Sequence, residues 1–150
     1  MDKFVDVIVR EACSGVYKHE GGPFGAVVVN RDGKIIGRGH NTVLKDHDPT
    51  CHAEVNAIRD ACKNVGSHSL EGCSIISICE PCPMCLSTII WSNIKTVYFA
   101  TTRSDAARIG FRDEAIYDYL SGKNKSLLTL KKFSSDSCNK LFDEYRGEIY

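Results

Sequence analysis

The sequence predicts an α/β fold, with helices packed on a sheet as a layered sandwich. Three observations carry that prediction. Short apolar runs alternate with segments of helical period along the chain. Asn30-Arg31-Asp32-Gly33 is a strong hairpin turn between two of those runs. The stretch from His52 to Cys82 holds one helix, one loop and one strand, the length of a crossover that brings two helix N-termini to one end of a sheet.

The elements follow in order. Phe4, Val5, Ile8, Val9, Ala12 and Val16 recur at helical spacing, so a first helix covers Asp2 to Lys18. Glu20-Gly21-Gly22-Pro23 breaks it, and Gly25 to Val29 reads as a buried strand. After the turn, Lys34 to Asn41 returns as the second strand of the hairpin. Lys45 to Asp48 reads as polar loop. A second helix spans His52 to Lys63, with Val55, Ile58 and Ala61 on its inner side. Ser74 to Ile78 is a strand, Cys79 to Pro81 a turn, and Pro83 to Trp91 a third helix, with Pro suited to its first turn. Lys95 to Ala100 is a strand and Asp113 to Leu120 a helix. Ser121 to Ser126 is the clearest linker. Beyond it lie a candidate strand, Leu127 to Phe133, and a short helix, Ser137 to Tyr145.

At 150 residues the chain has the size of one domain, with enough length to bury a real core. Its 43% hydrophobic and 25% charged residues are those of a globular protein, which excludes a disordered or fibrous class. No apolar run is long enough to span a bilayer. Met1-Asp2-Lys3 leads straight into an amphipathic pattern without a signal-peptide layout, so a cytoplasmic protein is expected. Formal net charge is zero, and no nucleic-acid partner is expected from it. Eight cysteines would suit a disulfide framework in an exported chain; here reduced thiols are expected. Cys13, Cys62 and Cys138 are expected to behave as small buried hydrophobes.

Two short segments carry chemistry: His52-Ala53-Glu54 and Pro81-Cys82-Pro83-Met84-Cys85. Zinc catalysis by water activation needs three protein ligands, an open position and a nearby proton carrier. Cys82 and Cys85 are three apart at a helix start, so both thiols share a face, and the positive end of the helix dipole favours the thiolate. His52 opens the other helix, and Glu54 projects differently from it. A competing closed site would use Cys79, Cys82, Cys85 and His52. It leaves Glu54 without a role and asks a strand-end thiol to reach the metal of two helical ones. H-x-E followed by P-C-x-x-C is the signature of zinc-dependent nucleobase deaminases.

On these residues the chain resembles the small guanine deaminases of the cytidine/deoxycytidylate-deaminase-like zinc family. Four segments carry the resemblance: Gly21-Gly22-Pro23-Phe24-Gly25-Ala26, Asp48-Pro49-Thr50-Cys51-His52-Ala53-Glu54, Cys79 through Cys85, and Asp105-Ala106-Ala107 through Gly110-Phe111-Arg112-Asp113. The second and third are shared with other deaminases, tRNA adenosine deaminases among them. The first and fourth are more particular to the guanine enzymes, and a C-terminal aromatic, Tyr150, matches them too. Ser134 to Gly147 departs from the pattern.

The resemblance implies a three-layer α/β/α sandwich with a five-stranded mixed sheet, one Zn2+ per subunit held by His52, Cys82 and Cys85, and a homodimer. It also implies exchange of the C-terminal segment from about residue 121. The implied substrate is a small-molecule purine, with guanine hydrolysed to xanthine and ammonia. Glu54 is then the proton carrier and Asp113 a second carboxylate facing the guanine N–H groups and helping the amino group leave. Phe24, Asn41, Ala53 and Trp91 are implied pocket residues, and Tyr150 an implied cap, in the partner's site. Each has a plainer reading. Asn41 suits turn chemistry, Phe24 and Trp91 suit the core, Asp113 suits a helix N-cap, and a terminal Tyr150 suits a frayed end. Gly37-Arg38-Gly39 does not fit a nucleotide loop. His19, His40, His47 and His68 are expected on the surface or in loops. A tRNA adenosine deaminase is the alternative within the reaction class. An inactive zinc-stabilised binding subunit is the alternative outside it.

Overall fold

Four strands form one mixed sheet in the computed structural model, which describes every residue from Met1 to Tyr150. They are β1 (Gly25–Val29), β2 (Ile35–His40), β3 (Ser74–Cys79) and β4 (Thr96–Thr101). Their order across the sheet is β2-β1-β3-β4. The helices are α1 (Asp2–Tyr17), α2 (Val43–Asp46), α3 (Ala53–Val65), α4 (Pro83–Trp91), α5 (Arg103–Arg108), α6 (Glu114–Leu120) and α7 (Asp136–Glu144). None is long and apolar enough to cross a membrane.

All five residues of β1 are buried, because helices cover both faces of the sheet there. Ala26, Val28 and Ile75 face Ala57, Ile58 and Ala61 of α3 and Ile89 of α4. Val27, Val29 and Ile76 face Val7 and Ile8 of α1 on the other side. The three layers of the expected sandwich are therefore α1, the sheet, and α3 with α4.

Strand direction explains why distant motifs meet. β2 and β3 each pair antiparallel with β1, so they run parallel to one another. β4 is parallel to β3. The C-terminal ends of β2, β3 and β4 thus lie at the same end of the sheet as the start of β1. The Gly21–Phe24 loop, Asn41, the start of α3, the start of α4 and α5 all emerge there.

The element boundaries expected from sequence fall within a residue or two of those found, with three differences. Lys45 and Asp46 belong to the short α2 rather than to loop. Arg103–Arg108 forms α5, held by a capping box in which Thr102 Oγ1 accepts from the Asp105 amide and Asp105 Oδ2 accepts from the Thr102 amide. The sheet has four strands, not five, because Leu127 to Phe133 pairs with no strand. Its pattern of apolar residues suited a strand, but a strand needs a ladder partner for its backbone, and Leu127, Leu130 and Phe133 stand exposed. Cys13 and Cys138 are exposed rather than buried. The chain divides into two units, Met1–Asp113 and Glu114–Tyr150. The sheet and the motif residues belong to the first. The second holds α6 and α7 and buries no residue.

α3 lies almost on the backbone of β2. A Cβ on Gly39 would stand 2.5 Å from both the Ala53 carbonyl oxygen and the Ala57 amide nitrogen. This is the physical reason for glycine in Gly37-Arg38-Gly39, which packs against a helix. Gly39→Ala must push the start of α3 away, and destabilisation of about 1–3 kcal/mol is expected. Urea unfolding checks it; an unshifted midpoint contradicts the close packing.

Candidate active site

Two helix starts build the centre of the site. His52 is the N-cap of α3 and Cys82 the N-cap of α4, both in extended conformation before the helix begins. The turn before α3 is stapled in place. Thr50 donates to Asp48 Oδ1 through its amide and its hydroxyl, each at 2.7 Å, and these bonds hold the Asp48 carboxyl below its ordinary range. Arg59, nearly two turns into α3, reaches back to Thr50 Oγ1 and Cys51 Sγ. Asn56 Nδ2 donates to the His40 carbonyl oxygen and to Thr42 Oγ1, both at 2.9 Å, which ties α3 to the end of β2. Asp48-Pro49-Thr50-Cys51 is thus a mount for His52.

His52 Nδ1, Cys82 Sγ and Cys85 Sγ converge, the three donor atoms lying within 4.8 Å of one another. Both sulfurs stand 3.6 Å from Nδ1. A tetrahedral zinc with Zn–S of about 2.3 Å and Zn–N of about 2.0 Å would separate sulfur from nitrogen by ~3.6 Å. The donor set therefore fits zinc in chemistry and in spacing.

The electrostatics of the two thiols point the same way. The Cys85 hydrogen bond, supported by His52, pulls Cys82 down to about 4. The resulting thiolate, with burial, pushes Cys85 well above the ordinary thiol range. Alone, the pair holds one negative charge; a divalent cation shared by both sulfurs lets both ionise. The Cys82 hydrogen bond raises His52, against the opposing effect of burial. Cys79 stays outside this group. Its Sγ points to the Thr102 carbonyl oxygen at 3.5 Å, so the closed four-ligand arrangement does not form.

Glu54, the second residue of α3, is 6% exposed. Burial raises its pKa. Its Oε2 lies 3.5 Å from Cys85 Sγ, and its Oε1 lies 3.1 Å from Ser77 Oγ. A carboxylate beside, but not within, a three-donor metal set is what a proton carrier requires.

Asp113, the last residue of the first unit, also senses this centre. Partial burial raises its pKa first; the charges of Cys82 and Glu80 raise it further and Arg103 opposes them. Asp113 immediately precedes α6. Asn41 is buried and does turn chemistry through Oδ1, which accepts from the Val43 amide at 3.2 Å. Gly21 is packed against it; a Cβ there would fall 2.1 Å from Asn41 Oδ1. Phe24 is half-buried, and Phe111 meets its ring edge-on with centroids 4.9 Å apart. Ala53 is the first residue of α3, where backbone N–H groups lack helical partners.

Two expected site residues stand exposed. Trp91 ends α4, six residues beyond Cys85 and roughly 9 Å along the axis at 1.5 Å per residue. It is 68% exposed, which also rules out a core role. Tyr150 is exposed in the second unit.

Sequence reasoning missed three contributors. Phe111 lies inside the Gly110-Phe111-Arg112-Asp113 segment, and its contact with Phe24 is visible only in the fold. Glu80 ties the cysteine loop to the next segment, its Oε2 accepting from the Arg103 amide at 3.1 Å. His40, expected on the surface or in a loop, is clamped between Glu11 Oε2 at 3.2 Å and Glu20 Oε2 at 2.5 Å, with Lys45 on the far side of Glu20. That clamp fixes the loop leading to Gly21 against the strand end leading to Asn41. The alternation of Gly-His-Asn on a strand whose inner face is glycine was the available signal.

Comparison with known proteins gives consistent results. Residues 1–101 match the profile of the cytidine and deoxycytidylate deaminase zinc-binding region. The chain is similar to guanine deaminase from Bacillus subtilis, with 50% identity over 116 residues, 77% of this chain and 74% of that protein. The X-ray structure of guanine deaminase from Bacillus subtilis aligns with a TM-score of 0.89 and 38% identity, covering 99% of this chain and 97% of that one. A tRNA-specific adenosine deaminase from Aquifex aeolicus is 41% identical over 97 residues, 65% of this chain and 63% of that protein.

Proposed function

The chain belongs to the cytidine and deoxycytidylate deaminase zinc-binding family, and from that premise we propose that it hydrolyses guanine to xanthine and ammonia. The observation that carries the chemistry is the buried Glu54 carboxylate beside a three-donor zinc site. Zinc, when bound, lowers the pKa of water enough to supply a hydroxide nucleophile at neutral pH.

The chain's own residues do the rest. Glu54 accepts the proton released from water and delivers it to the ring nitrogen beside C2. Water oxygen becomes the new C2 oxygen; the second water proton passes from the C2 hydroxyl through Glu54 to the exocyclic amino group, and the bond from C2 to that group breaks to release ammonia. Burial holds Glu54 closer to neutral pH than an exposed carboxyl, which suits both halves of that transfer. Asp113 accepts from guanine N1–H and the exocyclic amine and assists the departing group. Asn41 uses its amide nitrogen on the purine edge, its oxygen being committed to Val43. Phe24 stacks on the base, steadied by Phe111, and the Ala53 amide lies at the pocket floor.

We place the enzyme in purine metabolism, in the cytoplasm, where eight free thiols suit a reducing medium. We also propose one folded domain per 150-residue subunit, working as a homodimer in which the segment from about 121 is exchanged. The support is that the second unit buries none of its apolar side chains, Leu130, Phe133 and Phe142 among them. Trp91 and Tyr150 would then complete a site in the assembled dimer. Light scattering tests this: a fully active monomer contradicts it.

The reaction is tested by incubating zinc-loaded protein with guanine and following xanthine by ultraviolet absorbance. Turnover of a tRNA anticodon stem without turnover of guanine would move the assignment to the adenosine enzymes. Inactivity on every base, nucleoside and tRNA would move it to a binding subunit. Asp113→Ala is expected to lower kcat/KM for guanine by about a hundredfold or more, since a buried donor pair loses its acceptor. Unchanged guanine turnover removes Asp113 from the site.

A further inference from the structure

Ser77 is a polar residue where the fold calls for an apolar one. It sits on β3 between Ile75 and Cys79, on the face turned toward α3 and α4, and it is 2% exposed. A hydroxyl buried in such a place is costly unless it is used. Its Oγ is 2.5 Å from the Cys79 carbonyl oxygen and 3.1 Å from Glu54 Oε1.

Glu54 has few other anchors. One is its own backbone N–H, which moves with the residue. Another is Cys85 Sγ at Oε2, a sulfur committed to the metal. Ser77 is the one neutral group that reaches Glu54 from the rigid sheet. The hydroxyl has a single proton, and two acceptors face it, Glu54 Oε1 and the Cys79 carbonyl oxygen. Glu54 Oε1 is thereby held at the same point of β3 as the Cys79 carbonyl, two residues upstream of Pro81 and the metal-binding turn.

We propose that Ser77 is a positioning residue for the deamination reaction: it pins Glu54 Oε1 to β3 so that Oε2 stays aimed at the metal site. Ser77 touches neither metal nor substrate and acts through Glu54. The inference rests on the assignment of Glu54 as proton carrier made above.

The test is Ser77→Ala, which removes one oxygen and leaves the packing methylene, with Ser77→Thr as the variant that restores the hydroxyl. A crystal structure of zinc-loaded Ser77→Ala is read first, independently of any activity. Expected is a Glu54 carboxylate rotated away from its place beside Cys85; a carboxylate that stays put overturns the proposal. In the guanine assay Ser77→Ala is expected to lose about tenfold to a hundredfold in kcat, the scale of one hydrogen bond to a charged group. KM, zinc content and melting midpoint are expected to stay close to wild type, and Ser77→Thr to recover most of the rate. A kcat within about twofold of wild type overturns the proposal. So does a loss that follows zinc content or melting midpoint and that Thr fails to restore, because that is a structural role. Failure of the underlying assignment looks different: wild type without guanine turnover, or Glu54→Gln with full turnover, is scored before any Ser77 variant.

Discussion

Glu54→Gln is expected to keep its zinc and lose at least about a thousandfold in kcat, within the range of general acid–base catalysis at a dedicated site. The substitution nearly preserves shape. The amide can still meet Ser77, and the three donors His52, Cys82 and Cys85 are untouched, so metal content and fold should survive. What disappears is the ability to take up and release a proton. In the wild-type site burial brings the Glu54 carboxyl nearer to neutral pH, so it can act as base toward water and as acid toward the purine ring in one cycle. Gln can do neither. The measurement is single-turnover kinetics on guanine with zinc quantified by atomic absorption. Near-normal turnover in a zinc-replete variant would remove Glu54 from the mechanism.

Cys85→Ala is expected to abolish stoichiometric zinc binding and, with it, deamination. Cys85 is fully buried in the first turn of α4, with its sulfur 3.6 Å from His52 Nδ1. Without it, two donors remain for a metal that needs three in a catalytic site. Chelation of the wild type should reproduce the loss of activity and lower the melting midpoint, because a ligand that binds only the folded state stabilises it by mass action. Reloading carries a definite pH sign. Zinc requires His52 neutral and both thiols ionised, yet Cys82 holds His52 up, and the Cys82 thiolate holds Cys85 up. Both groups cling to protons that the metal must displace, so zinc affinity should weaken as pH falls. Metal content across a pH series, with activity measured alongside, checks both claims. A Cys85→Ala protein with full zinc, or a chelated wild type with full turnover, would contradict the site.

Much of this was legible in the residues. The donors were recognisable because thiolate and imidazole are soft, distinctive ligands and because a helix start places residues three apart on one face. The hairpin followed from Asn30 to Gly33, and α4 from Pro83. The failures have a common cause. α5 rests on a reciprocal pair, Thr102 and Asp105, in a stretch with no apolar period. Leu127 to Phe133 has strand composition but no ladder partner, and composition cannot supply one. Trp91 is apolar and yet lies exposed while Ser92 and Ile94 just beyond it are buried, a choice of covered face that composition cannot supply.

By itself the sequence determined the ingredients of the candidate site: His52, Cys82, Cys85 and Glu54, each at a helix start, on an alternating α/β chain. Those depend on residue chemistry and on spacing over a few positions. Only the tertiary structure decided which thiols join the metal set and which groups support it. Cys79 turns to Thr102 and away from the cluster. Ser77, on the same strand, comes up beneath Glu54. Glu11 and Glu20 close on His40 from a helix and a loop. These contacts join residues 20 to 29 positions apart, and they are set by side-chain direction and strand pairing across the sheet, which no local pattern encodes.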